Sequence, residues 1–214
     1  MLVTKIERQK RNAHRINLFL DGRFAFGVDD EVLVRSGIRT GDHLTGEALE
    51  SIRESGEKSL AKSRALKSLS RRLRTEAEVR SDLLENEFHP RTVDRVIEEL
   101  RAMGLIDDTR FARAFVHDAR MRRALGRIAL QRELLRKGVP RQVILDELAS
   151  SARPDDEVAA AFSAASTLLS RFRASRKRLP PEKERERAAQ FLGRRGYDWE
   201  IISGVLRRLF GAGE

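Results

Sequence analysis

The chain has 214 residues, a net charge of +10 and no cysteine, so disulfide frameworks and cysteine-ligated metal sites are excluded. Apolar residues make up 40% and charged residues 36%, enough for packed cores beneath a highly charged surface. There is no apolar run of the roughly 18 residues that a membrane helix needs, and the first residues lack the apolar centre of a signal peptide. We therefore expect a cytoplasmic protein that is not inserted in a membrane.

The beginning of the chain predicts a β-hairpin. Ile16, Leu18 and Leu20 alternate with polar residues, and a second apolar run follows directly after Asp21 and Gly22. Asp-Gly between two such runs is a strong hairpin signal, because both turn positions favour positive φ.

The hairpin belongs to a predicted N-terminal module that covers residues 1–56. Residues 4–8 predict a third strand, and residues 29–35 predict a short helix that ends at a glycine. A further helix is predicted over residues 45–53. The expected boundary of the module lies at Ser55 and Gly56.

Residues 59–105 predict a first set of three helices. The first helix is expected over residues 60–72. Thr75 and Glu78 form a capping-box pattern that opens the second helix. Pro90 opens the third helix, at a position where a missing N–H has no cost.

Residues 106–150 predict a second set of three helices. Asp107 or Asp108 is expected to cap the first of these helices. Gly126 lies between the first and second helices, and Gly138 lies between the second and third. Both glycines are therefore interpreted as marking helix ends.

Residues 154–211 predict a third set, in which Pro181 opens the second helix and Asp198 caps the last one. Gly196 ends the second helix. Residues 171–180 are an insertion that the other two sets lack, and they are expected to form a basic loop.

An apolar ladder occurs once in each set, at spacings of 51 and then 58 residues. Its anchors are Phe88, Val139 and Tyr197. Apolar residues also stand nine and five positions before each anchor and five and nine positions after it. Self-similarity at a near-fixed spacing is typical of repeat proteins, which usually bind other macromolecules. The predicted fold is therefore mainly α, an elongated tandem array of three three-helix repeats with a small N-terminal β-hairpin module.

The positive charge lies on the repeats, since residues 1–58 are neutral and residues 106–150 carry +4. In repeat two, basic residues are dense and only Glu133 opposes them, while Ile128, Leu134 and Leu135 are expected on another helix face. This cluster is either a solvated surface or a docking face for an anionic groove or filament. Its members are Arg120, Arg122, Arg123, Arg127, Arg132, Arg136 and Lys137.

A second basic cluster lies in the insertion of repeat three. Basic loops either contact phosphates or are disordered, and both readings stay open. No aromatic residue interleaves with either cluster, so stacking on single-stranded bases is poorly supported. The residues of this second cluster are Arg171, Arg173, Arg176, Lys177 and Arg178.

The sequence offers no catalytic constellation. The four histidines lack metal-ligand spacing, and there is no glycine-rich phosphate loop or nucleophile elbow. We therefore expect neither an enzyme nor a cofactor or metal site.

Three stretches resemble the RecX family of recombination regulators. They read GLIDDTRFARAF at residues 104–115, GRIALQRELLRKGV at residues 126–139 and ALKSLSRRLRTEAEVRSDLLENEF at residues 65–88. The resemblance implies tandem three-helix repeats that lie in the groove of the filament formed by the RecA protein on DNA. It also implies inhibition of the ATPase, strand-exchange and coprotease activities of RecA, and thereby a role in DNA repair, recombination and the SOS response.

Alternative functions remain open beside this expectation of a monomeric RecA-binding protein. One is a basic helical protein that binds DNA directly and independently of RecA, for example in transcription. The other is a helical enzyme with a site between repeats, for which no residue pattern argues.

Overall fold

The computed structural model describes residues 1–9, 12–151, 154–174 and 180–211, and it divides into two compact units, Met1–Ile106 and Asp107–Glu214. The first unit contains a three-stranded sheet and four helices. These are β1 Val3–Gln9, β2 Asn12–Leu20, β3 Arg23–Asp29, α1 Asp30–Ser36, α2 Gly46–Leu69, α3 Glu76–Glu85 and α4 Pro90–Ala102.

The sheet is antiparallel in the order β1-β2-β3, as the hairpin and the third strand predicted. Leu18 pairs with Ile6 on one side and with Phe26 on the other. Asp21 and Gly22 have φ values of 49° and 80°, which form the tight turn between β2 and β3. The sheet thus presents one apolar face to α1 and α2.

Helix α2 is continuous through the expected boundary, so the prediction of two helices separated at Ser55 and Gly56 was wrong. Gly56 is buried, and a Cβ atom there would lie 3.0 Å from Cγ1 of Val28. The glycine therefore serves the close packing of β3 against the helix. Ile52 of the same helix lies in the core of the sheet, whereas Ala61 lies in the core of repeat one.

The second unit consists of two three-helix repeats. Asp107 caps its first helix, as predicted, because its side chain accepts a hydrogen bond of 2.9 Å from the backbone N–H of Arg110. The helices are α5 Asp108–Arg123, α6 Arg127–Arg136, α7 Arg141–Ser150, α8 Pro154–Ala174, α9 Pro181–Arg194 and α10 Trp199–Phe210.

The apolar ladder forms the core of every repeat. All twelve residues at the four positions around the anchors are between 0% and 6% exposed. The anchors Val139 and Tyr197 are also buried, and Phe88 is partly buried. The twelve residues are Val79, Leu83, Val93, Ile97, Leu130, Leu134, Ile144, Leu148, Ala188, Leu192, Ile202 and Leu206. The sequence repeat is therefore a repeat of core packing.

The residue before each anchor has a left-handed backbone. Its φ is 61° at Glu87, 76° at Gly138 and 79° at Gly196. Each residue closes the turn between the second and third helix of its repeat. Repeat one alone places a side chain there, and an L-residue in this conformation costs about 1–2 kcal/mol.

We expect Glu87→Gly to raise the free energy of unfolding of the Met1–Ile106 unit by about 0.5–1 kcal/mol. Relief of the left-handed strain exceeds the added entropy of glycine in the unfolded chain, which is about 0.4–1 kcal/mol. Denaturant titration followed by circular dichroism measures the change. Glu98→Gly is the control, because Glu98 is exposed within α4 and glycine should cost about 1 kcal/mol there. Equal destabilisation by both substitutions would contradict the argument.

Candidate partner-binding surface

Helix α6 positions the centre of the basic cluster of repeat two. Leu130 and Leu134 pack into the core of repeat two, and Ala129 is buried against Gly196 of repeat three, so one side of the helix is held by the protein. The first and last residues of the helix are Arg127 and Arg136. The opposite side of the helix is open to solvent.

Three arginines of α6 point into solvent. Arg127, Arg132 and Arg136 are all exposed. No guanidinium group of the three has a hydrogen-bond or ion-pair partner among the residues that the structure describes. Their charge is therefore available to a partner.

The other arginines of the cluster are engaged within the protein. Arg120 donates from Nη1 to the backbone oxygen of Ser151 at 2.6 Å, at the end of α7. Nε of Arg122 lies 2.7 Å from Oδ1 of Asp118. Each of these arginines thus has a partner within the protein, and Asp118 is an acidic neighbour that the sequence analysis did not count.

Arg123 and Lys137 are also held in repeat two. Arg123 forms a two-pronged contact with Glu133, at 3.1 Å and 2.9 Å. Its guanidinium group lies 5.5 Å from the ring centroid of Phe115, and the ammonium group of Lys137 lies 5.7 Å from that of Phe111. The expected cluster of seven free cations thus reduces to the three arginines of α6.

Two apolar residues lie on the open side of α6, although the sequence had placed them on another face. Ile128 is 54% exposed and Leu135 is 47% exposed, whereas Leu134 is fully buried as expected. Ile128, Arg132 and Leu135 have the i, i+4, i+7 spacing of one helix face. We call the surface formed by Ile128, Arg132, Leu135 and Arg136 the α6 face. Arg127 lies outside it, because the nine-residue step from Arg127 to Arg136 turns the helix through about 180°.

The start of α6 is fixed by repeat three. The backbone N–H groups of Gly126 and Ile128 donate to the carbonyl oxygens of Arg195 and Gly196, at 2.9 Å and 3.0 Å. The N–H of Arg127 donates to Oε1 of Glu157 at 3.0 Å. A helix normally leaves its first N–H groups without a partner in the same helix. Repeat three supplies the missing acceptors, so it orients the α6 face.

Gly126 and Gly196 make this close approach possible, and we call the pair the glycine joint. A Cβ atom at Gly126 would lie 2.6 Å from the carbonyl oxygen of Gly196. A Cβ atom at Gly196 would lie 2.2 Å from the backbone nitrogen of Ala129. Both glycines were predicted only to mark the ends of helices, and their role in packing was missed.

Tyr197 reinforces the joint. Its hydroxyl donates to the carbonyl oxygen of Ala124 at 2.9 Å, and Ala124 has a left-handed φ of 46°. Burial, together with the nearby charge of Glu157, raises the pKa of Tyr197 to about 12. The phenol therefore stays protonated and can donate this hydrogen bond throughout the neutral pH range.

The second basic cluster is only partly within the described structure. Arg171 and Arg173 lie in the last turn of α8, so the prediction that the loop begins at residue 171 was wrong. Arg173 donates from Nε and Nη2 to Oε2 of Glu184 at 3.0 Å and 2.8 Å, and this contact raises the pKa of Arg173. Arg171 is exposed. The remaining members, Arg176, Lys177 and Arg178, lie outside the described residues.

Two other features are absent from the described segments. These segments contain no group of three or more histidine, aspartate or glutamate residues placed to hold a metal ion. None of their helices combines the length and the apolarity that crossing a bilayer requires.

Four consecutive family models match the chain. They describe the regulatory protein RecX N-terminal domain at residues 1–45 and the first, second and third three-helix domains of RecX at residues 61–100, 107–148 and 159–206. The third of these models covers the whole of α6.

Relatives and solved structures agree with these models. A regulatory protein RecX of Clostridium perfringens is 32% identical over 207 residues, which are 97% of this chain and 95% of the relative. One of Bacillus subtilis is 32% identical over 97% of this chain and 76% of the relative. A crystal structure of regulatory protein RecX superposes with a TM-score of 0.73 at 27% identity, covering 95% of this chain and 98% of the other.

Proposed function

The chain belongs to the RecX family of regulatory proteins, and we propose that it binds the RecA recombinase filament and inhibits the ATPase, strand-exchange and coprotease activities of RecA. The observation that carries the proposal is the run of four RecX domain matches along the chain. The three free arginines of α6 support it physically, because a filament on DNA is an anionic assembly.

The proposal places the protein in recombinational DNA repair and the SOS response, as a monomer in the cytoplasm. It acts by occupying the filament groove and needs no catalytic group. The proposed domains are residues 1–56, 59–105, 106–150 and 154–211, and the first two of them share the continuous helix α2. Each repeat contributes contacts that are weak alone and strong together.

Within this proposal the α6 face is the main docking site. Its arginines have no intramolecular ion pair to give up among the described residues. Surface ion pairs such as that of Arg122 with Asp118 are worth little to stability, so the stability of the repeat does not depend on an ion pair of the α6 arginines. Binding to the filament therefore relies on arginines that form no ion pair within the described part of the folded protein.

We expect Arg132→Glu combined with Arg136→Glu to weaken filament binding several-fold or more. The loss should be largest at low salt, because added salt shortens the range of charge attraction to about 10 Å at 0.1 M. The measurement is inhibition of the DNA-dependent ATPase of RecA by each variant at low and moderate salt. Circular dichroism should show unchanged helicity, since both side chains are exposed.

The charge-matched control is Arg71→Glu with Arg91→Glu. Both residues are exposed in the first unit and no side-chain partner is described for either. The control changes the net charge equally but leaves the α6 face intact. If it inhibits RecA as poorly as the α6 variant, overall charge and not this face governs binding.

A second candidate function is direct binding to DNA, which the net charge of +10 favours. Co-sedimentation distinguishes the two functions when the protein is mixed with RecA filaments on single-stranded DNA or with naked DNA at several salt concentrations. Retention on filaments at salt concentrations that release it from naked DNA supports the RecA proposal. Equal retention on both would support the DNA-binding alternative.

A further inference from the structure

The α6 face joins two kinds of chemistry on one helix. Ile128 and Leu135 are large apolar side chains exposed to about half of their area, and Arg132 lies between them. Arg136 is the last residue of the helix. A face that presents exposed apolar side chains beside arginines has the composition of a protein–protein contact.

We propose that the α6 face docks on a protein surface of the recombinase filament, at an apolar depression rimmed by carboxylates, and not on the phosphate backbone of the DNA. This inference rests on the proposed function and names the partner within it. The transfer of apolar side chains from water to an apolar surface is favourable. A phosphate backbone offers no apolar surface. An apolar depression rimmed by carboxylates would match both the apolar residues and the arginines of the α6 face.

The kind of cation also favours a protein surface. The α6 face carries two arginines, Arg132 and Arg136, that have no ion pair among the described residues. Arginine is also enriched at protein interfaces, where its planar group forms two-pronged contacts with carboxylates.

The combination is specific to repeat two. At the positions of Ile128, Arg132 and Leu135 in the apolar ladder's register, the other two repeats have small, acidic or uncharged polar residues, with a single exposed leucine. These residues are Ala77, Ser81 and Leu84 in repeat one and Glu186, Gln190 and Gly193 in repeat three. The middle repeat therefore recognises the partner through a surface that its neighbours do not repeat.

The test removes the apolar contact and keeps the charge, with the variant Ile128→Gln combined with Leu135→Gln. Binding is measured on RecA filaments assembled on single-stranded DNA and on the same DNA without RecA. We expect the affinity for filaments to fall about tenfold, as for residues at the centre of an interface. Binding to naked DNA should not change. Thermal unfolding should match that of the parent, because both side chains are exposed.

The matched control is Leu84→Gln, at the position in repeat one that corresponds to Leu135. Leu84 is 43% exposed and is expected to tolerate the change without loss of filament binding. Unchanged filament binding by the α6 double variant would overturn the inference and leave the proposed function standing. An equal loss on naked DNA would overturn it in favour of a nucleic-acid contact. A parent protein that neither binds filaments nor inhibits RecA would remove the proposed function and the inference together.

Discussion

Replacing Gly196 with valine is expected to destabilise the Asp107–Glu214 unit by about 3 kcal/mol or more. A Cβ atom at this position would lie 2.2 Å from the backbone nitrogen of Ala129, which cannot move without displacing α6. The φ of 79° adds left-handed strain of about 1–2 kcal/mol, and overpacking adds about 1–3 kcal/mol. Urea unfolding followed by circular dichroism measures the loss.

The control for this substitution is Gly193→Ala, three residues earlier in the chain. Gly193 is exposed within α9, and a Cβ atom there would meet no atom within 4 Å. Alanine is a better helix former than glycine, so we expect a gain of about 0.5–1 kcal/mol. A Gly196→Val protein that unfolds at the same urea concentration as the parent would show that the glycine joint does not bear on stability.

Replacing Leu134 with glutamine is expected to destabilise the same unit by about 4 kcal/mol, enough to unfold much of it. Leu134 is fully buried in the core of repeat two. Loss of a buried leucine costs about 2–5 kcal/mol, and an amide without partners in that core costs about 1–3 kcal/mol more. The variant should lose helicity and, with it, inhibition of RecA.

The neighbouring residue provides the control, since Leu135→Gln makes the same chemical change one position later. Leu135 is nearly half exposed, so its replacement should alter the free energy of unfolding by no more than about 0.5 kcal/mol. Comparable unfolding of both variants would mean that α6 is oriented differently from the structure. The pair thus tests the rotation of the helix about its axis.

The apolar ladder and the helix ends could be predicted because both are local patterns. Core positions recur at fixed spacing around each anchor, and side chains such as Thr75 and Asp107 act on N–H groups only three residues away. The continuity of α2 could not be predicted in this way. Gly56 breaks a helix by propensity, but packing against Val28 decides its role.

The candidate surface was predictable in its charge but not in its detail. Both interpretations of the basic cluster, a solvated surface and a docking face, place its arginines at the surface, and Arg132 and Arg136 are exposed. The contact of Arg123 with Glu133 joins two helices, so the amino-acid order alone does not reveal which arginines are neutralised. Ile128 and Leu135 look like core residues by hydropathy. Neither residue occupies a position of the apolar ladder, and this was the one feature of the sequence that indicated their exposure.

The dependence of α6 on repeat three has a consequence for synthesis on the ribosome. The first turn of α6 emerges about 70 residues before the carbonyl groups of Arg195 and Gly196 that accept its hydrogen bonds. At translation rates of about 5–20 residues per second, this is a delay of roughly 4–14 s. During that interval the nascent chain has the residues of repeat two but not the acceptors that complete its second helix. The α6 face, although encoded near the middle of the chain, is therefore complete only after repeat three has been synthesised.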